Sequence, residues 1–212
     1  MTHDETHDPN TLYGDIAYIK ALAQAGFSAP LQNGMILVAA GLIFGTASVV
    51  HWSIINKLVG LGPTAIAIAW LASAVMFGLV MFFQIRSIHQ NPMAQNHTNQ
   101  ASGSVWTAAG YGIFTLFVVL ILAGARLNMT EVLMNLIAPG VMLFYGIAWS
   151  SSAMICRKGW MHGVAMGCFA MAALLGWFIQ DPNQMLVYAA ALILLATVPG
   201  LILMRAARGE VA

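Results

Sequence analysis

The chain has 212 residues, of which 60% are hydrophobic and only 7% charged. A soluble globular protein carries about 25% charged residues, so a soluble fold, a disordered chain and a nucleic-acid binder are excluded, and an integral membrane protein remains. The formal net charge of +1 provides no basic surface for counterion release, so no direct nucleic-acid partner is expected and the lipid bilayer is the first partner.

Residues 1–33 read as an N-terminal tail. Met1 to Asn10 is acidic and His-rich and has no large apolar residue after Met1, a composition that does not bury a core. His3 and His7 are four apart among Asp4, Glu5 and Asp8, but a metal site needs an ordered helix there and none is expected. From Thr11 to Gly26 the pattern changes. Asn10 or Thr11 can cap a helix start and Gly26 can end it. Leu12, Ile16, Ile19 and Ala23 fall on one helical face, flanked by Tyr13 and Tyr18. This predicts a short amphipathic helix, lying on the membrane surface or the bundle, or docking a cytosolic regulatory protein.

Six stretches then follow that are apolar enough to span a bilayer, at about 20 residues each: Met35 to Trp52, Pro63 to Phe83, Val105 to Ala125, Val132 to Met154, Trp160 to Ile179 and Met185 to Met204. None contains Asp, Glu, Lys or Arg. The expected fold is all-α: a polytopic bundle of six transmembrane helices over 34–205, with up-down connectivity and a cytoplasmic tail over 206–212. Several connections are so short that consecutive spans should be antiparallel neighbours. The ten-residue alternation of a membrane barrel is not found.

Basic residues orient the bundle. Lys20, Arg86, Arg157, Lys158, Arg205 and Arg208 lie on one side and only Lys57 and Arg126 on the other, which places both termini in the cytoplasm. Trp52, Trp106, Trp160 and Trp177 fall near span ends, where indoles prefer the interface. Gly41 with Gly45 and Gly163 with Gly167 form Gly-x-x-x-Gly pairs, suited to close packing within the bundle or to a homo-oligomer. Pro139 and Pro199 are candidate kinks. Ile68 to Ala74 and Ile147 to Ala153 agree at five of seven positions, a weak echo of hairpin duplication.

Candidate sites gather on the outer side. His51, beside Trp52, is a titratable group where burial is costly. It is either an interfacial histidine reaching the headgroups or a sensor of pH or ligand. Arg126, Asn128, Glu131, Asn135, Gln180 and Asp181 reach the same layer. With His51 and Trp52 they outline a shallow ligand pocket or an ordinary solvated rim, in which Arg126 and Glu131 are placed to pair. On the inner side Ser150, Ser151 and Ser152 can bond their own helix carbonyls. Cys156 beside Arg157 and Lys158 reads as a plain buried or interfacial cysteine. Cys156 and Cys168 are too few for a disulfide framework. No catalytic motif is present: a serine hydrolase would need a Gly-x-Ser-x-Gly elbow. His89 with His162 is the remaining pair on one side for an axial haem, but no cofactor is expected. No span has a midplane carboxylate or base, which disfavours an ion-coupled carrier.

Asp15-Ile16-Ala17, Ala21-Leu22-Ala23, Ser28-Ala29-Pro30-Leu31, His51-Trp52, Tyr145-Gly146-Ile147-Ala148-Trp149 and Pro199-Gly200 together resemble a family of small six-helix bacterial inner-membrane proteins associated with genes for winged-helix regulators. The resemblance implies a non-enzymatic component of the inner membrane that senses a signal or tethers a regulator; no catalytic residues carry over. A channel or uncoupled transporter of small neutral or apolar molecules is the alternative, and a haem-binding electron-transfer subunit the next.

Overall fold

The computed structural model describes residues 34–89 and 97–209. The expected helix carrying Leu12, Ile16, Ile19 and Ala23, and the His3–His7 pair, lie outside the described residues, and so does the side chain of His89. What is described is helical. The spans are α1 (Gly34–Ile55), α2 (Thr64–His89), α3 (His97–Leu127), the short α4 (Thr130–Met134) continued by α5 (Ile137–Cys156), α6 (Trp160–Trp177), and α7 (Gln184–Leu192) continued through a π-helical turn (Ile193–Thr197) into α8 (Val198–Gly209). Six segments are long and apolar enough to cross a membrane. In hydrocarbon every backbone N–H and C=O needs a partner within the protein, and a helix supplies nearly all of them internally.

The helices form two three-helix groups. In one, α1 lies between α2 and the sixth span; in the other, α5 lies between α3 and α6. The expectation that consecutive spans are neighbours therefore fails at one place: α2 packs on α1, α3 packs on α5, and the two do not form a packed pair with each other. Burial follows position. In the most apolar stretch of α2 only 6% of residues are buried, against 50% in the sixth span.

Glycines set the tightest contact. A Cβ added at Gly34 would lie 2.7 Å from the Gly200 carbonyl, and one at Gly200 would lie 2.8 Å from the Gly34 carbonyl. A Cβ at Gly41 would overlap the Thr197 hydroxyl. Thr197 Oγ1 is buried and has no hydrogen-bond partner, so the Gly41 Cα–H directed at it is the available weak donor. Of the first Gly-x-x-x-Gly pair, Gly41 belongs to this seam between α1 and the sixth span, whereas a Cβ at Gly45 would meet Ile193 at an ordinary 3.6 Å. The second behaves differently: Gly167 abuts Leu195, while Gly163 faces open space.

Both prolines break a helix ladder, and in both cases a side chain from elsewhere repairs it. Proline has no N–H to give the carbonyl four residues earlier. For Pro199 that carbonyl belongs to Leu195, and Trp149 Nε1 donates to it at 3.2 Å. The chain widens here into the π turn, where the Val198 N–H reaches the Ile193 carbonyl. For Pro139 the carbonyl belongs to Asn135, and Gln184 Nε2 donates to it at 3.0 Å. Here the fourth span breaks between α4 and α5. Trp149 and Gln184 are almost fully buried. Each fastens one span to another while satisfying a carbonyl that lipid could not.

The repeat suggested by the echo does not extend to packing. Trp70 sits on the peripheral α2 and is half-buried, while Trp149 sits on the central α5 and has no exposure. Trp106 and Trp160 both contact Trp149, at ring distances of 5.4 and 5.9 Å; Trp106 is half-buried and Trp160 is exposed. Trp177, by contrast, is 86% exposed.

Candidate functional site at the His51 end

The polar groups that bridge spans are concentrated at one end of the bundle, where the connections after α1, α3 and α6 lie. α1 delivers His51, Trp52 and Asn56 there in its last turn and just beyond it. The turn between α6 and α7 is shaped by Asp181, whose carboxylate accepts the Asn183 N–H at 2.7 Å. This turn then interlocks with α1: Trp52 Nε1 donates to Asn183 Oδ1 at 3.1 Å, and Asn56 Nδ2 donates to the Pro182 carbonyl at 3.3 Å. Below it, Gln184 Nε2 bonds both the Asn135 carbonyl and the Leu175 carbonyl, the second at 3.1 Å. Trp52, Asn135 and Asp181 thus belong to one connected polar layer, joining the first, fourth, fifth and sixth spans.

His51 faces the other way. Its Nδ1 accepts a hydrogen bond from Trp70 Nε1 of α2 at 3.2 Å, and the two rings meet edge to face at 6.3 Å. A ring nitrogen that accepts carries no proton, so the imidazole here is neutral with its proton on Nε2. Trp70 is seated in turn on Phe44, and Phe44 on Phe77, at ring distances of 6.3 and 5.3 Å.

Of the expected pocket of His51, Trp52, Arg126, Glu131, Asn135 and Asp181, the structure brings Trp52, Asn135 and Asp181 into the bonded layer and turns His51 to Trp70. Arg126 ends α3 and Glu131 lies in α4, both exposed, apart from the bonded layer. Gln180 is exposed in a left-handed backbone conformation, φ 66°. Two residues of this end, Gln184 in the layer and Trp70 against His51, are not among the sequence candidates. A lone glutamine opening an apolar span was the available signal for the first. Nothing in its own stretch distinguishes Trp70 from a membrane-facing indole.

At the opposite end, Ser102 and Ser152 hydroxyls pair across α3 and α5 at 3.2 Å, buried, so Ser152 bonds a neighbouring helix rather than its own. Cys156 and Cys168 are buried free thiols. Among the described residues no three metal-binding side chains gather. The clefts on the bundle are apolar, one between α1 and the sixth span around Gly45 and Ala189, another between α3 and α5 around Leu116 and Gly140.

Architecture and polar layer together define a multi-pass helical membrane protein with a packed interior and one hydrogen-bonded end. No protein family, curated protein or solved structure matches the chain.

Proposed function

We propose that the protein is a non-enzymatic membrane protein with a sensing or regulatory role, seated in a bacterial inner membrane with both termini cytoplasmic and tethering a cytosolic partner. The observation that carries this reading is the bonded layer at the His51 end. It ties four spans and leaves α2 attached separately through His51, so a perturbation at that end reaches five of the six spans. The basic residues favour placing this end on the outer side, with Arg157, Lys158 and Arg205 facing the cytosol.

The channel reading gains no support from the interior. Trp149, Met142, Met161, Leu175 and Leu192 fill the space between the spans and are essentially unexposed. The electron-transfer reading is answered by a visible-range absorbance spectrum of the purified protein, in which haem gives a strong Soret band.

The test is native purification in mild detergent with mass spectrometry of what stays bound. The full chain is expected to carry a cytosolic regulatory protein, and a chain lacking Thr11 to Gly26 to lose it. A monodisperse protein without a partner, together with unchanged gene expression on deletion, would overturn the proposal.

A further inference from the structure

The hydrogen bond between His51 and Trp70 is a side-chain polar link from α2 to α1, set among largely apolar contacts. Among the described residues α2 has one packed neighbour, α1. Its outward face presents Leu71, Val75, Leu79 and Phe83, all more than half exposed. Within the stretch from Thr64 to Phe83 it has no titratable side chain. The sixth span, on the other side of α1, brings only the buried Tyr188 to the membrane depth of α7. Lys57 and Asp181 stand in the adjoining connections, and both are exposed. Among the described residues His51 is therefore the titratable group at the contact between α1 and α2, about one helical turn inside the end of α1.

We propose that His51 and Trp70 form a proton-operated latch that holds α2 on α1 when the imidazole is neutral and releases it when the imidazole is protonated. The chemistry runs in one direction. Neutral His51 offers the Nδ1 lone pair to the indole N–H. Protonation places a hydrogen on Nδ1, so two donors face each other and the bond is lost. The resulting imidazolium is half-buried against Trp70, with no carboxylate on α2 to pair it, and it gains by turning toward water or headgroups. α2 then keeps its apolar packing on α1, including the stacking of Trp70 and Phe77 on Phe44. The ligand of this site is the proton, and the moving part is one peripheral helix. This inference rests on the sensing role proposed above and specifies its stimulus.

The experiment uses the full chain in lipid nanodiscs, with spin labels on Leu71→Cys of α2 and Met166→Cys of α6. Both positions are strongly exposed, whereas the native Cys156 and Cys168 are buried. Distances are read at about pH 8 and about pH 5, which bracket the ordinary titration of histidine. The mean distance is expected to change reversibly by at least about 2 Å, the scale of a helix shift. His51→Gln keeps an acceptor that does not titrate and should hold the pH 8 distance at both values. Trp70→Phe keeps the ring without the donor and should show the pH 5 distance at both. An unchanged distance in the labelled parent, or an equal pH response in His51→Gln, overturns the latch. Because the parent alone decides the first outcome, a misfolded variant does not blur it. A flat pH response with the cytosolic partner still bound removes the latch and leaves the sensing role standing.

Discussion

Lys57, Asn128, Arg157 and Gln180 each have a positive φ, between 53° and 66°, and each follows the end of a helical segment. Helices commonly stop in this left-handed conformation, which lets the last carbonyls find donors, but the residue found there is usually glycine. A side chain in that region costs about 1–2 kcal/mol, while glycine loses about 0.5–1 kcal/mol of extra backbone entropy on folding. Lys57 is exposed and lies beyond the last turn of α1. Lys57→Gly is therefore expected to raise stability by about 0.5–1 kcal/mol, read as a higher midpoint of thermal unfolding in detergent. An unchanged or lower midpoint would mean that the lysine contributes a contact outweighing its backbone strain. Such positions are not legible in a sequence that has glycines close by: Gly60 and Gly62 stand a few residues further on, yet the left-handed residue is Lys57. At Gly41 the residue pattern and the structure agree, because a small residue in a membrane helix has few uses other than close approach.

At the scale of the element, the repaired proline ladders explain why the sixth span stays continuous across a π turn and a proline. Trp149 supplies the donor that Pro199 cannot, and it does so from a fully buried position in α5. Trp149→Phe keeps most of the volume and removes the N–H, leaving the Leu195 carbonyl without that donor in a dry interior. The expected loss is about 1–3 kcal/mol. Pro199→Ala returns a backbone N–H four residues after Leu195, so the same Trp149→Phe change should cost less in that background. The double-mutant cycle should give a coupling of at least about 0.5 kcal/mol, measured by denaturant or thermal unfolding of the four proteins. Additive effects would show that the indole merely packs there. Sequence located both prolines and expected kinks, but it did not pair them with Trp149 and Gln184. Those partners lie 46 and 49 residues away from the carbonyls they serve, and no local pattern encodes a meeting at that separation.

For the whole molecule, the count of six spans was legible because an absence of charge over about 20 residues has one physical meaning. The arrangement of those spans was not. Lipid is as apolar as leucine, so a span facing the bilayer and a span in the centre carry the same hydrophobic signature; α2 and the sixth span have nearly equal mean hydropathy, 2.3 and 2.4, yet opposite burial. What separates them is the placement of small residues, and the glycine seam between α1 and the sixth span makes the sharpest prediction at this scale. The two groups of helices are cut by the chain itself between α2 and α3, so fragments 1–89 and 97–212 divide one group across two polypeptides. If the seam at Gly34, Gly41, Thr197 and Gly200 supplies the association, the two fragments co-expressed in one membrane should copurify through a tag on either. Gly41→Leu in the first fragment drives a branched side chain against the Thr197 hydroxyl and the Leu192 carbonyl, and overpacking of this kind costs about 1–3 kcal/mol or more. Recovery of the second fragment should then fall at least about fivefold, since 1 kcal/mol is already a factor of about five in an association constant. Gly163→Leu in the second fragment, where a side chain meets open space, should leave recovery unchanged. Equal loss from both substitutions would show that the fragments are joined by general apolar contact, whereas loss from Gly41→Leu alone assigns the joint to the backbone approach of α1 and the sixth span.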